Sequence, residues 1–127
     1  MTNSNQSNTK IYPTELTYSK KNKELKIIFS NRQEYILSAE YLRVSSPSAE
    51  VQTHNPETRI FVPGKRYVDI AKIEKVGNYA IRILFNDNHD TGIYSWEYLH
   101  NLALNKKQNW QDYLAGINKL NLSRDLG

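Results

Sequence analysis

The sequence has no cysteine among its 127 residues. This absence excludes disulfide bonds, thiolate ligands for zinc or an iron–sulfur cluster, and a cysteine nucleophile. No apolar run approaches the ~20 residues that span a bilayer. The start of the chain, MTNSNQSNTK, has neither the apolar segment of a secretory signal nor the arginines of a transit peptide. We therefore expect a cytoplasmic protein with a disordered polar tail over residues 1–11.

Glycine is also scarce, and this narrows the enzyme classes. The five glycines form neither a phosphate-binding loop nor a dinucleotide fingerprint. No serine lies in a G-x-S-x-G nucleophile elbow, and His89 directly before Asp90 is not the arrangement that orients a triad imidazole. The sequence thus predicts no enzyme of these kinds.

Size and charge favour a single basic domain. A chain of this length forms one domain that buries roughly two thirds of its unfolded surface. The net charge is +4, but the lysines fall in small groups at predicted turns, which is typical of solvated turns. Nucleic-acid binding rests only on this charge and on the aromatic content, so we rank it third among the functions.

Two segments of the chain share one hydrophobic pattern. In residues 24–29, ELKIIF, alternate side chains are large and apolar, which predicts a strand. A turn, a short strand over residues 34–37 and a helical turn over residues 38–44 follow, with Ser38 as N-cap. The segment AIRILF and a second EYL, at residues 80–85 and 97–99, repeat this plan. The pattern predicts an internal duplication of a hairpin-plus-helix unit, packed face to face.

Three further segments complete the predicted fold. Residues 15–20 read as a preceding strand, and residues 67–79 as a strand with a bulge. Residues 108–120 carry apolar side chains at helical spacing, which predicts a C-terminal amphipathic helix. The predicted class is α+β, a small and mostly antiparallel domain over residues 12–122 with a C-terminal tail over residues 123–127.

Long runs of the sequence resemble a known family. AEYLRVSSPSAEV, GKR at 64–66, VGNYAIRILFNDNHDTGIYSWEYL and the closing W..YL at 110–114 are together similar to the gamma-butyrobetaine hydroxylase-like N-terminal domain family. The resemblance runs from about residue 12 to residue 120 and implies a non-catalytic accessory domain. It links the chain to iron–sulfur cluster or metal-cofactor handling. The implied partner is a P-loop iron–sulfur carrier ATPase or a metal-dependent oxygenase, with no membrane contact.

The resemblance also bears on a metal site. Oxygenase members carry a Cys-Pro-Cys-x-x-Cys pattern and a histidine that together hold a structural zinc. At these positions stand Ser46, Pro47, Ser48, Val51 and His89. Serine is a poor zinc ligand at neutral pH and valine cannot bind zinc, so we expect no cofactor. We expect Ser46-Pro47-Ser48 to form a structural turn packed near His89.

A residual metal site remains an alternative. Histidine with carboxylates can bind zinc or ferrous iron, and His89 has Asp87, Asp90 or His54 as candidate co-ligands. The other reading of His89 is a buried histidine satisfied by hydrogen bonds.

For a protein-binding surface we predict the 45–67 loop together with the NDNHDTGIYSW segment at residues 86–96. The candidate partner-binding residues are Ser46, Pro47, Ser48, Lys65, Arg66, Tyr94 and Trp96. Tyr67 and Tyr79 would join an aromatic patch if they shared an exposed face with these residues.

Overall fold

The computed structural model describes residues 10–47, 60–89 and 92–125. Within these ranges the elements are, in chain order, β1 Pro13–Ser19, β2 Glu24–Phe29, β3 Glu34–Ser38, α1 Ala39–Val44, β4 Ile70–Val76, β5 Ala80–Phe85, β6 Gly92–Ser95, α2 Trp96–Leu104 and α3 Lys106–Lys119. The predicted α+β class is confirmed. Of the residues singled out in the sequence, Ser48, Val51, His54 and Asp90 lie outside the described ranges.

The strands form two antiparallel sheets with the same plan, in the orders β1-β2-β3 and β4-β5-β6. Each sheet has a register shift at the start of its first strand, where Pro13 pairs with Phe29 and Ile70 pairs with Phe85. The bulge predicted within residues 67–79 is therefore present, and its counterpart lies in β1. The duplicated unit consists of three strands and a helix.

The core lies between the two sheets. Leu25, Ile27 and Phe29 of β2 and Ile81, Ile83 and Phe85 of β5 are buried in one cluster. They alternate with less buried neighbours because successive side chains of a strand point to opposite faces. Neither unit could cover this apolar face alone, so the duplication yields one domain.

Both short helices begin directly after a serine that is the last residue of the unit's third strand. Ser38 Oγ accepts the Tyr41 N–H at 2.9 Å, and Ser95 Oγ accepts the Tyr98 N–H at 3.0 Å. A serine N-cap satisfies an amide that has no partner inside the helix. The predicted cap at Ser38 is confirmed, and the repeat S-x-E-Y-L explains why Ser95 has the same role.

The C-terminal helix is confirmed as α3, and it buries Tyr113 and Ile117. The backbone after it remains attached to the domain, because Gly64 N–H donates to Ser123 O and Arg66 N–H donates to Arg124 O. The predicted tail over residues 123–127 is thus docked as far as residue 125.

In the three described ranges, no helix combines the length and apolar character needed to cross a bilayer.

Candidate functional site

The serine loop and the second repeat meet in a buried contact. Ser46 follows α1, His89 follows β5, and Ser46 Oγ lies 2.8 Å from His89 Nε2. Both residues are buried. The backbone fixes His89 from the other side, because Phe85 N–H donates to His89 O at 3.1 Å. The prediction that the serine turn packs near His89 is confirmed at Ser46, and Ser48 lies outside the described residues.

Asp87 links this contact to two cations. Its Oδ2 accepts from Arg43 Nε at 2.8 Å and from Lys65 Nζ at 2.7 Å, and its Oδ1 accepts the His89 backbone N–H at 3.2 Å. Burial acts to raise the pKa of this carboxyl, but hydrogen bonds from Lys65 and Arg43 outweigh it and hold the pKa below its usual range. Asp87 is therefore a carboxylate held by the protein's own cations.

The neighbouring strand closes the site. Gly92 begins β6, and a Cβ on it would lie 3.0 Å from Ser46 Oγ and 3.0 Å from the Tyr94 ring. The Tyr94 hydroxyl donates to Leu42 O at 2.5 Å, and burial raises the pKa of Tyr94. A glycine at this position lets Ser46 and Tyr94 pack against the strand.

The described residues alone do not complete a metal site. Zinc in a structural site takes four nitrogen, sulfur or carboxylate ligands, whereas here Ser46 occupies the Nε2 side of His89. Asp87 is engaged by Arg43 and Lys65. Across the described ranges no three histidine, aspartate or glutamate side chains are grouped to hold a metal. His54 and Asp90, the other candidate ligands, lie outside these ranges.

The arrangement also lacks the geometry of a hydrolytic triad. In a triad the carboxylate orients the imidazole through a ring nitrogen. Asp87 instead contacts His89 through the backbone amide, and its other oxygen binds Arg43 and Lys65.

Two of the predicted partner-binding residues do not lie on the surface. Ser46 and Tyr94 are fully buried, since each packs between the two units and has its hydroxyl in a hydrogen bond inside the domain. Pro47 and Trp96 are half-buried.

The remaining predicted partner contacts already have partners within the domain. Lys65 binds Asp87, and Arg66 binds Asp125 at 2.6 Å.

The predicted aromatic patch is not one surface. Tyr67 and Tyr79 expose 67% and 59% of their area. Tyr67 precedes β4, whereas Tyr79 lies in the β4–β5 turn, so a strand of seven residues separates them. At about 3.3 Å per residue the two tyrosines lie at opposite ends of the hairpin.

Sequence reasoning missed Arg43 as a member of this site. Arg43 is buried although it is charged, and it lies on α1, where every residue is buried. The sequence did carry one indication, since an arginine stands within an otherwise mostly apolar helical turn. The fold brings this arginine to Asp87.

The solved structures that are similar to this chain include two NMR structures and one crystal structure. One NMR solution structure is 44% identical to this chain and has a TM-score of 0.78. The alignment covers 94% of this chain and 88% of the other. A second NMR solution structure has 42% identity and a TM-score of 0.77, with 90% of each chain covered.

The third is a crystal structure from Acidithiobacillus ferrooxidans ATCC 23270, of a protein of unknown function in the DUF971 family. It has 31% identity and a TM-score of 0.59, and covers 72% of this chain and 91% of its own.

Among curated proteins, none matches the chain. The family model described as gamma-butyrobetaine hydroxylase-like, N-terminal, matches residues 16–100, which hold both sheets, the Ser46–His89 contact and most of the two short helices. The chain therefore belongs to the gamma-butyrobetaine hydroxylase-like N-terminal domain family.

Proposed function

We propose that the chain is a non-catalytic accessory domain that acts by binding a protein partner. The observation that carries this proposal is the buried contact between Ser46 and His89, with Asp87 held beside it. A catalytic or metal-binding group needs an open position for substrate or metal. At this site the polar groups are bound to one another, which supports a structural role for the site and a function exerted through the protein surface.

The family supplies the class of partner. This chain resembles modules that are joined to iron–sulfur carrier ATPases and to oxygenases. The resemblance favours a partner that handles iron–sulfur clusters or metal cofactors. The chain would bring no metal of its own and would contact a P-loop carrier ATPase or a metal-dependent oxygenase.

A binding experiment with purified proteins tests this function. The untagged chain is mixed in turn with an iron–sulfur carrier P-loop ATPase, with and without its cluster, and with a metal-dependent oxygenase. Each mixture is separated by size-exclusion chromatography with light scattering. We expect a complex of one chain per carrier subunit, and no complex with a P-loop ATPase outside the carrier family. If neither the carrier nor a metal-dependent oxygenase formed a complex with the chain, the proposal would be contradicted.

A residual metal site is the second candidate function. It is favoured by the juxtaposition of Ser46 and His89, two positions that correspond to zinc ligands in oxygenase members. The measurement is elemental analysis for zinc and iron on untagged wild type, His89→Ala and the control His100→Ala. The accessory-domain proposal expects no stoichiometric metal in any of them. Stoichiometric metal in wild type and in His100→Ala, lost in His89→Ala, would establish the metal site instead.

A further inference from the structure

A groove of about 700 Å³ lies between β3 and the junction of α2 with α3. Its apolar lining includes Ile36 from β3, Leu104 from α2 and Trp110 from α3. Ile36 and Leu104 expose 42% and 56% of their area. Apolar side chains gathered on one concave surface are typical of binding sites for other molecules.

The groove is formed before any partner arrives. The Trp110 ring meets the Tyr41 ring edge-on at 6.4 Å, and the Arg124 guanidinium lies 5.2 Å from the centre of the Trp110 ring. Arg124 is fixed by two hydrogen bonds to Glu40, at 2.8 and 2.7 Å. A pre-formed tryptophan beside an arginine costs little conformational entropy on binding, and these two residue types recur at the energetic centres of interfaces.

The rim of the groove is basic on the α3 side. Lys106 and Lys107 both line it and lie in the first turn of α3, which contains no acidic residue. Two carboxylates line the groove as well, but Glu40 is buried against Arg124, and Glu24 lies on β2 in the opposite wall. The charge of the α3 rim is complementary to carboxylates on a bound segment.

One carbonyl on the edge of β3 is already bound by a lysine. Lys106 Nζ donates to the Ile36 carbonyl at 2.6 Å. A lysine over an edge strand opposes pairing with a further strand, which favours an occupant that docks through its side chains. A short helix does this with apolar anchors at roughly i, i+3, i+4 and i+7 on one face.

We propose that this groove binds an amphipathic helix of a protein partner. The apolar face of the helix packs on Ile36, Leu104 and Trp110, and its carboxylates pair with Lys106 and Lys107. The proposal deepens the proposed function, on which it rests for the existence of a protein partner, by naming the surface and the chemistry of the bound segment.

The test uses a designed probe and the full chain. The probe is a fluorescein-labelled peptide of roughly 18 residues, long enough to be helical when bound, with leucines on one face and glutamates beside them. The control peptide replaces each glutamate by lysine. Fluorescence anisotropy gives the dissociation constant, and amide and indole NMR shifts give the site of binding.

Two matched double variants locate the site on the protein. Leu104→Ser with Lys107→Glu changes the groove, and both residues are exposed, so the fold is retained. Ile93→Ser with Lys75→Glu makes the same change in charge and also replaces an exposed aliphatic side chain by serine, but on the other sheet, where Ile93 is 39% exposed. Circular dichroism verifies the fold of both variants.

We expect the acidic peptide to bind wild type and the sheet variant alike, to shift the Trp110 indole signal, and to bind the groove variant at least about tenfold more weakly. Equal binding to the two variants, or tighter binding of the basic peptide, would overturn the proposal. A third outcome would also overturn the proposal. If single-stranded polyuridylate displaced the acidic peptide from wild type and did not bind the groove variant, the groove would be a nucleic-acid site.

The two proposals fail in different ways. If the carrier ATPase binds wild type and the groove variant equally, the docking site is wrong while the accessory function stands. If the peptide binds in the groove but neither the carrier nor an oxygenase binds the chain, the groove stands while the proposed function fails.

Discussion

Asp87 is the residue at which the polar contacts of the candidate site converge. It binds the buried Arg43, Lys65 and the backbone of His89, which ties α1, the segment before β4 and the β5–β6 turn together. A buried guanidinium without its carboxylate carries a large desolvation cost. The ion pair between Arg43 and Asp87 therefore holds the His89 backbone in place and so positions the Ser46–His89 contact.

Replacing Asp87 tests this role, and the sign of the pH dependence follows from its lowered pKa. A carboxyl whose pKa falls on folding stabilises the protein above its unfolded pKa, and this contribution is lost as the pH falls through the folded value. We expect Asp87→Asn to lower the free energy of unfolding by about 2–3 kcal/mol at pH 7. The difference from wild type should shrink below about pH 4.

Urea denaturation at pH 7, 4 and 3 measures this difference. Asp112→Asn, on the exposed face of α3, is the control and should change stability by less than about 0.5 kcal/mol at pH 7. A deficit of Asp87→Asn that stays constant down to pH 3 would contradict the assignment.

Of the contacts made by single residues in the site, the sequence predicted the packing of Ser46 near His89 and missed the cations bound by Asp87. The packing of Ser46 near His89 followed from matching the family's ligand positions, which the fold must bring together. The binding of Arg43 and Lys65 by Asp87 spans 44 and 22 residues along the chain, and no local pattern indicates it. Nor does any local pattern indicate that Gly116 packs against Phe61, where a Cβ on the glycine would lie 2.5 Å from the ring.

The repeated elements begin in the same way, and this gives a matched pair of helix caps. Ser38 and Ser95 each accept the backbone N–H of the third residue of the helix, Tyr41 and Tyr98 respectively. Alanine at an N-cap costs about 1 kcal/mol because the amide loses its acceptor.

We expect Ser38→Ala and Ser95→Ala to lower the free energy of unfolding by similar amounts, each about 1 kcal/mol. Chemical denaturation of the two variants and of the control Ser123→Ala, near the chain end, measures the effect. If only one of the two caps mattered, the helices would not be equivalent in energy despite their common sequence.

The first strands of the two units are also joined, through Tyr18 on β1 and Asp69 just before β4. The Tyr18 hydroxyl donates to Asp69 Oδ1, and Lys20 Nζ donates to the Ile70 carbonyl at 3.1 Å. Burial, followed by the hydrogen bond to Asp69, raises the pKa of Tyr18 to about 12. The sequence predicted both strands but gave no indication of this connection.

A raised pKa stabilises the fold below the unfolded value, near 10 for tyrosine, and this contribution is lost as the pH rises through the folded value. Because Tyr18 is only partly buried, solvent screening reduces the effect to about 1 kcal/mol. We expect Tyr18→Phe to be less stable than wild type at pH 9 and the difference to shrink towards pH 12. Thermal denaturation at pH 8, 9, 10 and 11 measures it, and parallel curves for the two proteins would rule out the linkage.

Across the whole molecule, the two units bind each other reciprocally. Tyr41 on α1 donates to Leu102 O on α2 at 2.6 Å, and Tyr98 on α2 donates to Ser45 O after α1 at 2.6 Å. The two tyrosines occupy the same position in the repeated EYL. Tyr41 lies in the core, and Tyr98 is partly buried against it. The direction of each hydroxyl depends on how the units are docked, which no periodicity encodes.

This reciprocity predicts that the units unfold together. Because both sheets share one core and exchange tyrosine hydrogen bonds, we expect a single transition, with the same midpoint for tryptophan fluorescence and for far-ultraviolet circular dichroism. Tyr41→Phe and Tyr98→Phe should each lower the free energy of unfolding by about 1 kcal/mol and keep the two midpoints equal. Tyr79→Phe, on an exposed turn, is the control and should leave stability unchanged. Two separate midpoints, in wild type or in either variant, would mean that the hydrogen bonds join units that fold independently.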